Sequence, residues 1–584
     1  MFNNLRRRIL QDAPGPACHP AAMKSFLVAG VLAWWLAVDA RVELKAEPVP
    51  AKPAAATVAK WPPASPEAVA HWRSLRFGMF IHWGPVSLTG KEIGWSRGDA
   101  IPVAVYDNLY KQFNPSNFNA DAWVSVAKAA GMKYIVLTTK HHDGFCLWDT
   151  KQTDYNIMNT PFHRDVVKEL SAACQRQGIA FGAYYSTCDW HHPDFPLTSP
   201  GGSVQRETSD LDAYNRYLLA QVRELIVNYG PLITIWNDVP QRFEGRGAAT
   251  IKLARQLQPD ILINDRTGDG GDYDTPEQRT GKYQFDRPWE SCMTVSAHNQ
   301  WAWGGPDDGV KPVSACLAML IRCAGGDGNM LLNVGPRPDG VIDPAQAGLL
   351  REIGAWLQQN GESIYGTRGG PWKPAAGVVS TRRDNVVYVH VLRTDGDTVA
   401  LPDIGQTIQS ASRLDGRAVR FQQSPKGIEL HVPAMVRDRI DTVVKLVLAG
   451  SAMDLPAVAV PLNFKVTASN VFQHDEAGYG PEHAFDSDAG TRWATDGGTR
   501  QAWIAVAFKE PRTVRGVRIN EAFAGRVRQC EFQYRAGDVW KTIFATGQLG
   551  RDFQQTFTPV KAQEFRLNIL DASEGPTINE IELF

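Results

Sequence analysis

LITIWNDVP, residues 232–240, is the stretch on which the reading of the fold turns. An apolar run ends abruptly in Trp236, Asn237 and Asp238. Ile and Thr branch at Cβ and are stiff at χ1, so Leu232–Ile235 reads as a short strand buried on both faces. A carboxylate closing such a strand sits at the rim of a sheet, where barrels and open α/β folds keep their chemistry. On this stretch alone, Asp238 as the cap of the next turn is the stronger reading. The rest of the chain shifts that balance.

The same texture recurs on either side. FGMFIHWG (77–84), KYIVLTT (133–139), IAFGAYYS (179–186), ILINDR (261–266) and NMLLNV (329–334) are apolar runs that end in polar residues. Between them lie helical spacings at 121–130, 164–177 and 211–229, each closed by a glycine. Strand, polar rim and helix, repeated, describe a parallel sheet with helical crossovers. The span 67–370 suits a (β/α)8-barrel-like catalytic domain. A doubly wound open sheet is the alternative, weakened by the lack of GxGxxG after the first strand. Beyond Trp372 short alternating runs such as NVVYVHVL and DTVVKLVL replace the helices. Residues 371–455 therefore read as a small antiparallel β-sandwich and 463–584 as a second all-β sandwich.

A chain of 584 residues exceeds one core, which fits this division. The formal charge of −1 provides no field to draw the protein to nucleic acid or anionic lipid. Eighteen tryptophans are many; flat indoles suit the apolar faces of sugars, and also fill cores. The eight cysteines form no CxxC pair and read as mostly free, buried thiols. Met23, Lys24 and SFLVAGVLAWWLAV resemble a secretory leader within residues 1–45, with an uncleaved anchor as the alternative. Residues 46–66, rich in Pro and Ala, read as a linker. A secreted or periplasmic protein with no membrane span after cleavage is expected.

The strand ends collect His82, Trp83, His141, His142, Asp143, Tyr184, Trp236, Asp238, Asn264, Asp265 and Arg266. In a barrel these converge on one mouth. Adjacent histidines in an extended segment point to opposite sides, so His141 and His142 are expected to bind hydroxyls rather than share a metal. There is no HExxH and no GxSxG. A pair of carboxylates remains, as glycoside cleavage requires. Asp238 would face the anomeric carbon. The proton donor would be Glu277 in YDTPEQ, with Glu290 in RPWESCMT as the fallback. Each also reads blandly, Glu277 as a solvated loop charge and Glu290 as a partner of Arg287.

FGMFIHWG, YIVLTTKHHDGFCLWDT, FGAYYS, IWND, INDR, TPEQ and GGDGNMLLNVGPRPDG together resemble the α-L-fucosidases of glycoside hydrolase family 29, in family order over about residues 70–370. The resemblance implies a barrel, a retaining exo-acting mechanism and no cofactor for catalysis. It places Asp238 on the nucleophile and Glu277 on the acid/base. It places His82, His141, His142, Tyr184, Trp236 and Arg266 around the fucose, with Trp301 of QWAWGG near the sugar methyl. GKEIGWSRG, which holds Glu92, Trp95 and Arg97, resembles the subgroup that cleaves α-1,3 and α-1,4 fucose from Lewis-type glycans; Gly94 stands where that subgroup usually has Ser. Fucosylated oligosaccharides or glycoconjugates are the implied partners. An α-L-fucosidase for other linkages, an α-L-galactosidase and a non-catalytic glycan-binding protein are the rival readings.

The mechanism requires the acid to carry its proton at working pH, through burial or the neighbouring Asp238 charge, and Arg266 or a histidine to keep Asp238 ionised. The last unit resembles a discoidin-type (factor 5/8 type C) carbohydrate-binding module of family 32. That resemblance implies a structural calcium near AFDSDAGTRW, held by Asp486, Asp488, Thr491 and Glu580; a tight Asp-rich turn without an ion is the alternative.

Overall fold

The structure, a computed structural model, describes residues 62–584 apart from 198–205, 207, 240–246, 281, 376, 393–395, 462–463, 487–490 and 551–552. The leader, most of the linker and Asp488 lie outside the described residues. Seven parallel strands form the first sheet: β1 (Phe77–Ile81), β2 (Tyr134–Lys140), β3 (Ala180–Ser186), β4 (Thr234–Asp238), β5 (Leu262–Ile263), β6 (Glu290–Thr294) and β7 (Asn329–Val334). Their order is β5-β4-β3-β2-β1-β7-β6. Residues 273–277 span the gap between β5 and β6 through parallel bridges of Asn264 with Tyr273, Asp274 with Trp289 and Glu277 with Cys292. Backbone bonds from Asp265 N to Tyr273 O (2.9 Å) and Cys292 N to Pro276 O (3.2 Å) carry the same ladder. Eight segments thus surround one lumen, and the barrel-like fold expected from the sequence is observed.

Side-chain alternation divides the barrel into two cores. Phe77, Met79, Ile81, Ile135 and Leu137 face outward and pack beneath the helices. Phe80, Tyr134, Val136, Tyr184, Trp236, Tyr273 and Leu331 fill the lumen. Gly78 is required there: a Cβ at that position would lie 2.4 Å from the Tyr134 ring. Helix Pro66–Leu75 closes the lumen from below, its Trp72 ring 4.5 Å from Tyr273.

Sequence boundaries shift in informative ways. The fourth strand continues through Trp236 and Asp238 instead of stopping at Ile235, so both residues keep the side-chain alternation of a strand. Glu290, read from sequence as a loop acid, opens β6. ESCMT has too few apolar residues to signal the buried strand it forms.

The C-terminal region is antiparallel. A five-stranded sheet (Arg368–Gly369, Val378–Arg383, Val386–Val391, Ile408–Arg413, Thr442–Leu448) and a three-stranded sheet (Thr398–Leu401, Arg420–Ser424, Gly427–His431) enclose one apolar cluster. A further seven-stranded sheet occupies Phe464–Leu583 around its own cluster. Beneath the barrel, buried Asp327 binds Arg76 (2.7 Å), Arg368 (2.6 Å) and Arg73, joining the first helix to the start of the five-stranded sheet. Burial opposes ionisation of Asp327, yet the three guanidiniums hold its pKa down at about 2. Cys146, Cys174, Cys292, Cys316, Cys323 and Cys530 are buried free thiols. Among the described residues no helix is long and apolar enough to cross a membrane.

Candidate active site

A cavity of about 470 Å³ opens at the C-terminal ends of the barrel strands. Of the residues expected at the site, His82, Trp95, His141, His142, Tyr184, Trp236, Asp238, Arg266, Glu277 and Trp301 line it. Phe80, Val239, Asp265 and Cys292 complete the lining. Glu92 and Glu290 are not part of it.

Asp238 ends β4, with its side chain 15% exposed. Oδ1 accepts from Arg266 Nη1 (2.8 Å) and from the Val239 amide (2.9 Å); Oδ2 accepts from the Tyr184 hydroxyl (2.8 Å). Burial pushes its pKa up, but Arg266, His142 and Tyr184 together outweigh burial, Arg266 foremost among them, and hold Asp238 below its ordinary value. His142 Nε2 lies 3.7 Å from Oδ2, and burial depresses the His142 pKa to about 4. Its ring is therefore neutral at neutral pH, which leaves Arg266 as the cation that keeps Asp238 ionised. Val239 adopts a left-handed φ of 57°, unusual for a β-branched residue. Thr187 holds that turn, its hydroxyl donating to the carbonyls of Asp238 (2.9 Å) and Val239 (2.8 Å).

Arg266 engages both candidate carboxylates. Nη2 donates to Glu277 Oε2 (2.9 Å) and to the Thr275 carbonyl (3.0 Å), while Nε donates to Thr275 Oγ1 (3.0 Å). The guanidinium also lies 4.8 Å from the Trp236 ring centroid. Sharing one planar fork keeps the bonded oxygens of Asp238 and Glu277 within about 8 Å of each other. The burial expected for the acid is not observed: the Glu277 side chain is 43% exposed and ion-paired. Its segment forms the rim of the barrel wall, where single bridges leave the side chain open to the mouth.

Glu290 sits lower, inside the lumen. It accepts from the Tyr134 hydroxyl and from Trp236 Nε1 (3.2 Å). Desolvation raises its pKa to about 7. A raised carboxyl is the mark of a general acid, but this one lies beneath Trp236, at the start of a strand whose far end faces the cavity. It supports the indole rather than reaching the sugar space.

His141 and His142 both line the cavity, with ring centroids 3.9 Å apart. The expected opposite orientation fails because the strand ends at Lys140 and the chain turns immediately. Burial lowers the His141 pKa well below its ordinary value. Glu92 turns inward: its carboxylate accepts from the amides of Trp301 (2.8 Å) and Ala302 (3.0 Å) and holds the loop that carries Trp301. Trp95 stands at the mouth, 46% exposed and edge-on to His142 at 5.4 Å.

Sequence reasoning missed Cys292 and Val239 as lining residues, and Thr187, Thr275 and Asn333 as supports. Asn333, the polar end of NMLLNV, carried the same signal as the other strand ends; the remainder carried none.

Comparison with known proteins agrees with this geometry. The alpha-L-fucosidase family profile matches residues 49–362, and the F5/8 type C domain profile matches residues 465–583. Human plasma alpha-L-fucosidase is 30% identical over 374 residues, spanning 58% of this chain and 73% of that protein. Mouse tissue alpha-L-fucosidase is 30% identical over 346 residues, with 54% and 73% covered. Alpha-L-fucosidase isoenzyme 1 from Paenibacillus thiaminolyticus superposes with a TM-score of 0.61 at 34% identity, covering 65% of this chain and 99% of that one. A family 29 alpha-L-fucosidase from Bacteroides thetaiotaomicron superposes at 0.60 with 26% identity, covering 67% and 98%; it was trapped as a covalent intermediate with 2-fluoro-fucosyl fluoride in a glutamate-to-glutamine mutant. The chain belongs to the alpha-L-fucosidases of glycoside hydrolase family 29 and carries an F5/8 type C domain behind its catalytic barrel.

Proposed function

We propose that this α-L-fucosidase is a retaining, exo-acting enzyme that releases terminal α-1,3- or α-1,4-linked L-fucose from Lewis-type or related glycans. The observation that carries the mechanism is the Arg266 fork, which binds Asp238 on one nitrogen and Glu277 on the other. In the first step an Asp238 oxygen attacks the anomeric carbon as the glycosidic C–O bond breaks. Glu277 delivers its proton to the departing oxygen, and a glycosyl ester forms on Asp238. In the second step Glu277, now ionised, takes a proton from water, whose oxygen displaces Asp238 and releases fucose with the same anomeric configuration. The covalent intermediate of the Bacteroides relative supports the two-step course.

His82, His141, His142 and Tyr184 supply hydrogen bonds to the hydroxyls; Phe80 and Trp301, ring centroids 6.1 Å apart, supply an apolar wall for the C6 methyl. A buried methyl contributes only about 1 kcal/mol, so hydroxyl recognition dominates the choice of sugar. Exposed Trp95 at the mouth supports a contact with the rest of the glycan. The leader-like stretch SFLVAGVLAWWLAV supports an exported enzyme.

In the C-terminal module Asp486 accepts from the Thr491 hydroxyl (2.9 Å) and pairs with His483 (3.0 Å). A carboxylate beside a hydroxyl suits calcium, which favours hard oxygen ligands, so Asp486 and Thr491 with Glu580 and Asp488 are proposed to hold that ion in a structural role. The test of the linkage reading is fucose release from Lewis trisaccharides compared with α-1,2- and α-1,6-linked fucosides, with Asp238→Gly as the inactive control. Faster release from the latter two substrates would overturn it.

A further inference from the structure

Asn333, at the end of β7, touches two parts of the site at once. Its Nδ2 donates to the Trp301 carbonyl (2.7 Å), and its Oδ1 lies 2.6 Å from His82 Nδ1. A backbone carbonyl can only accept, so the amide group of Asn333 must turn its nitrogen towards Trp301 and its oxygen towards His82. An amide oxygen can only accept in turn. His82 therefore carries its proton on Nδ1, and its remaining nitrogen, Nε2, presents a lone pair.

We propose that Asn333 is a positioning residue that fixes His82 as a hydrogen-bond acceptor for one sugar hydroxyl and ties that choice to the Trp301 wall. The proposal rests on the α-L-fucosidase reading of the cavity and deepens it. His82 reads a hydroxyl as a donor, so at that ring position the enzyme requires O–H and not merely an electronegative atom. The Trp301 loop is anchored at both ends of one residue, by Glu92 on its amide and by Asn333 on its carbonyl. A shift of the aromatic wall would therefore pull on the amide that sets the histidine.

The surroundings keep His82 neutral. Desolvation lowers its pKa to about 3, against the attraction of Asp238. His141 lies 5.6 Å away between ring centroids, Tyr184 lies at the same distance, and nearby His142 opposes a second charge. Replacing Asn333 by Asp would put an anion against Nδ1 and favour the imidazolium, which donates from both nitrogens.

The experiment measures inhibition of nitrophenyl α-L-fucoside hydrolysis by L-fucose and by its deoxy and deoxyfluoro analogues at C2, C3 and C4. The position read by His82 is the one whose deoxygenation penalty disappears in His82→Ala. In the wild type the fluoro and deoxy sugars at that position should be equally weak, within about twofold, because fluorine cannot donate. In Asn333→Asp the fluoro sugar should gain at least about threefold over the deoxy sugar at pH 5, and less at pH 8. A fluoro sugar that binds more than about fivefold better than the deoxy sugar in the wild type would show a donating His82 and overturn the proposal. So would an Asn333→Asp variant with the wild-type ratio at both pH values, or the absence of any position whose penalty depends on His82. If Asn333→Asp does not fold, the wild-type comparison still decides. A wild type that neither hydrolyses the fucoside nor binds fucose would instead defeat the reading of the cavity itself.

Discussion

Replacing Arg266 by Ala removes a guanidinium that touches both candidate carboxylates. A hydrogen bond between charged groups contributes about 1.5–3 kcal/mol in a largely desolvated site. Loss of the Asp238 contact alone therefore predicts a fall in kcat/KM of roughly 10- to 150-fold, at about 1.4 kcal/mol per decade. The pH profile should shift as well. Arg266 is the main influence depressing the Asp238 pKa; without it, burial dominates and that pKa rises. The nucleophile must be ionised, so the acid limb of kcat/KM moves to higher pH. Arg266→Lys keeps one charge but not the fork, and should fall between the wild type and Arg266→Ala. The assay is nitrophenyl α-L-fucoside hydrolysis from pH 4 to 9, with thermal melting to verify folding. A folded Arg266→Ala variant within about threefold of wild type, with an unmoved acid limb, would show that Arg266 does not hold the nucleophile ionised.

Glu277→Ala should slow substrates with poor leaving groups far more than activated ones, and azide should restore part of the rate. If Glu290→Ala showed that pattern and Glu277→Ala did not, the two roles would be exchanged. The raised pKa of Glu290 also has a sign for stability: a carboxyl moved from an ordinary 4.5 to about 7 stabilises the fold fully below about pH 4.5 and loses that contribution as pH rises through 7. Glu290→Gln, which cannot ionise, should lose less melting temperature than the wild type between pH 5 and 8, through a difference on the order of 3 kcal/mol. Identical pH dependence would show that Glu290 does not titrate in this range. Chelation by EGTA should lower the melting temperature of the C-terminal module and added calcium should restore it; an unchanged melt would leave Asp486 and Thr491 as an ion-free turn.

The barrel was legible because apolar runs with polar ends repeat at βα spacing, and outward residues such as Met79 and Leu137 follow that pattern. Asp238 was legible for the same reason. What stayed hidden has few apolar residues or depends on distant partners. ESCMT conceals a buried strand behind polar letters, so Glu290 looked like a loop acid. The 273–277 segment joins the barrel through isolated bridges that no local periodicity records, and that placement leaves Glu277 exposed. His141 and His142 face the same space because the strand ends at Lys140, before either of them, and the chain turns there. The Glu92–Trp301 contact spans 209 positions, which no spacing rule reaches.

In the proposed reaction Asp238 becomes covalently joined to the sugar. Incubating Glu277→Gln with 2-fluoro-fucosyl fluoride and mapping the labelled peptide by mass spectrometry tests it most directly. One fluorofucosyl group is expected on the peptide containing Asp238, and none in Asp238→Gly. A label on another side chain, or an enzyme that turns over fucosides yet never labels, would contradict it.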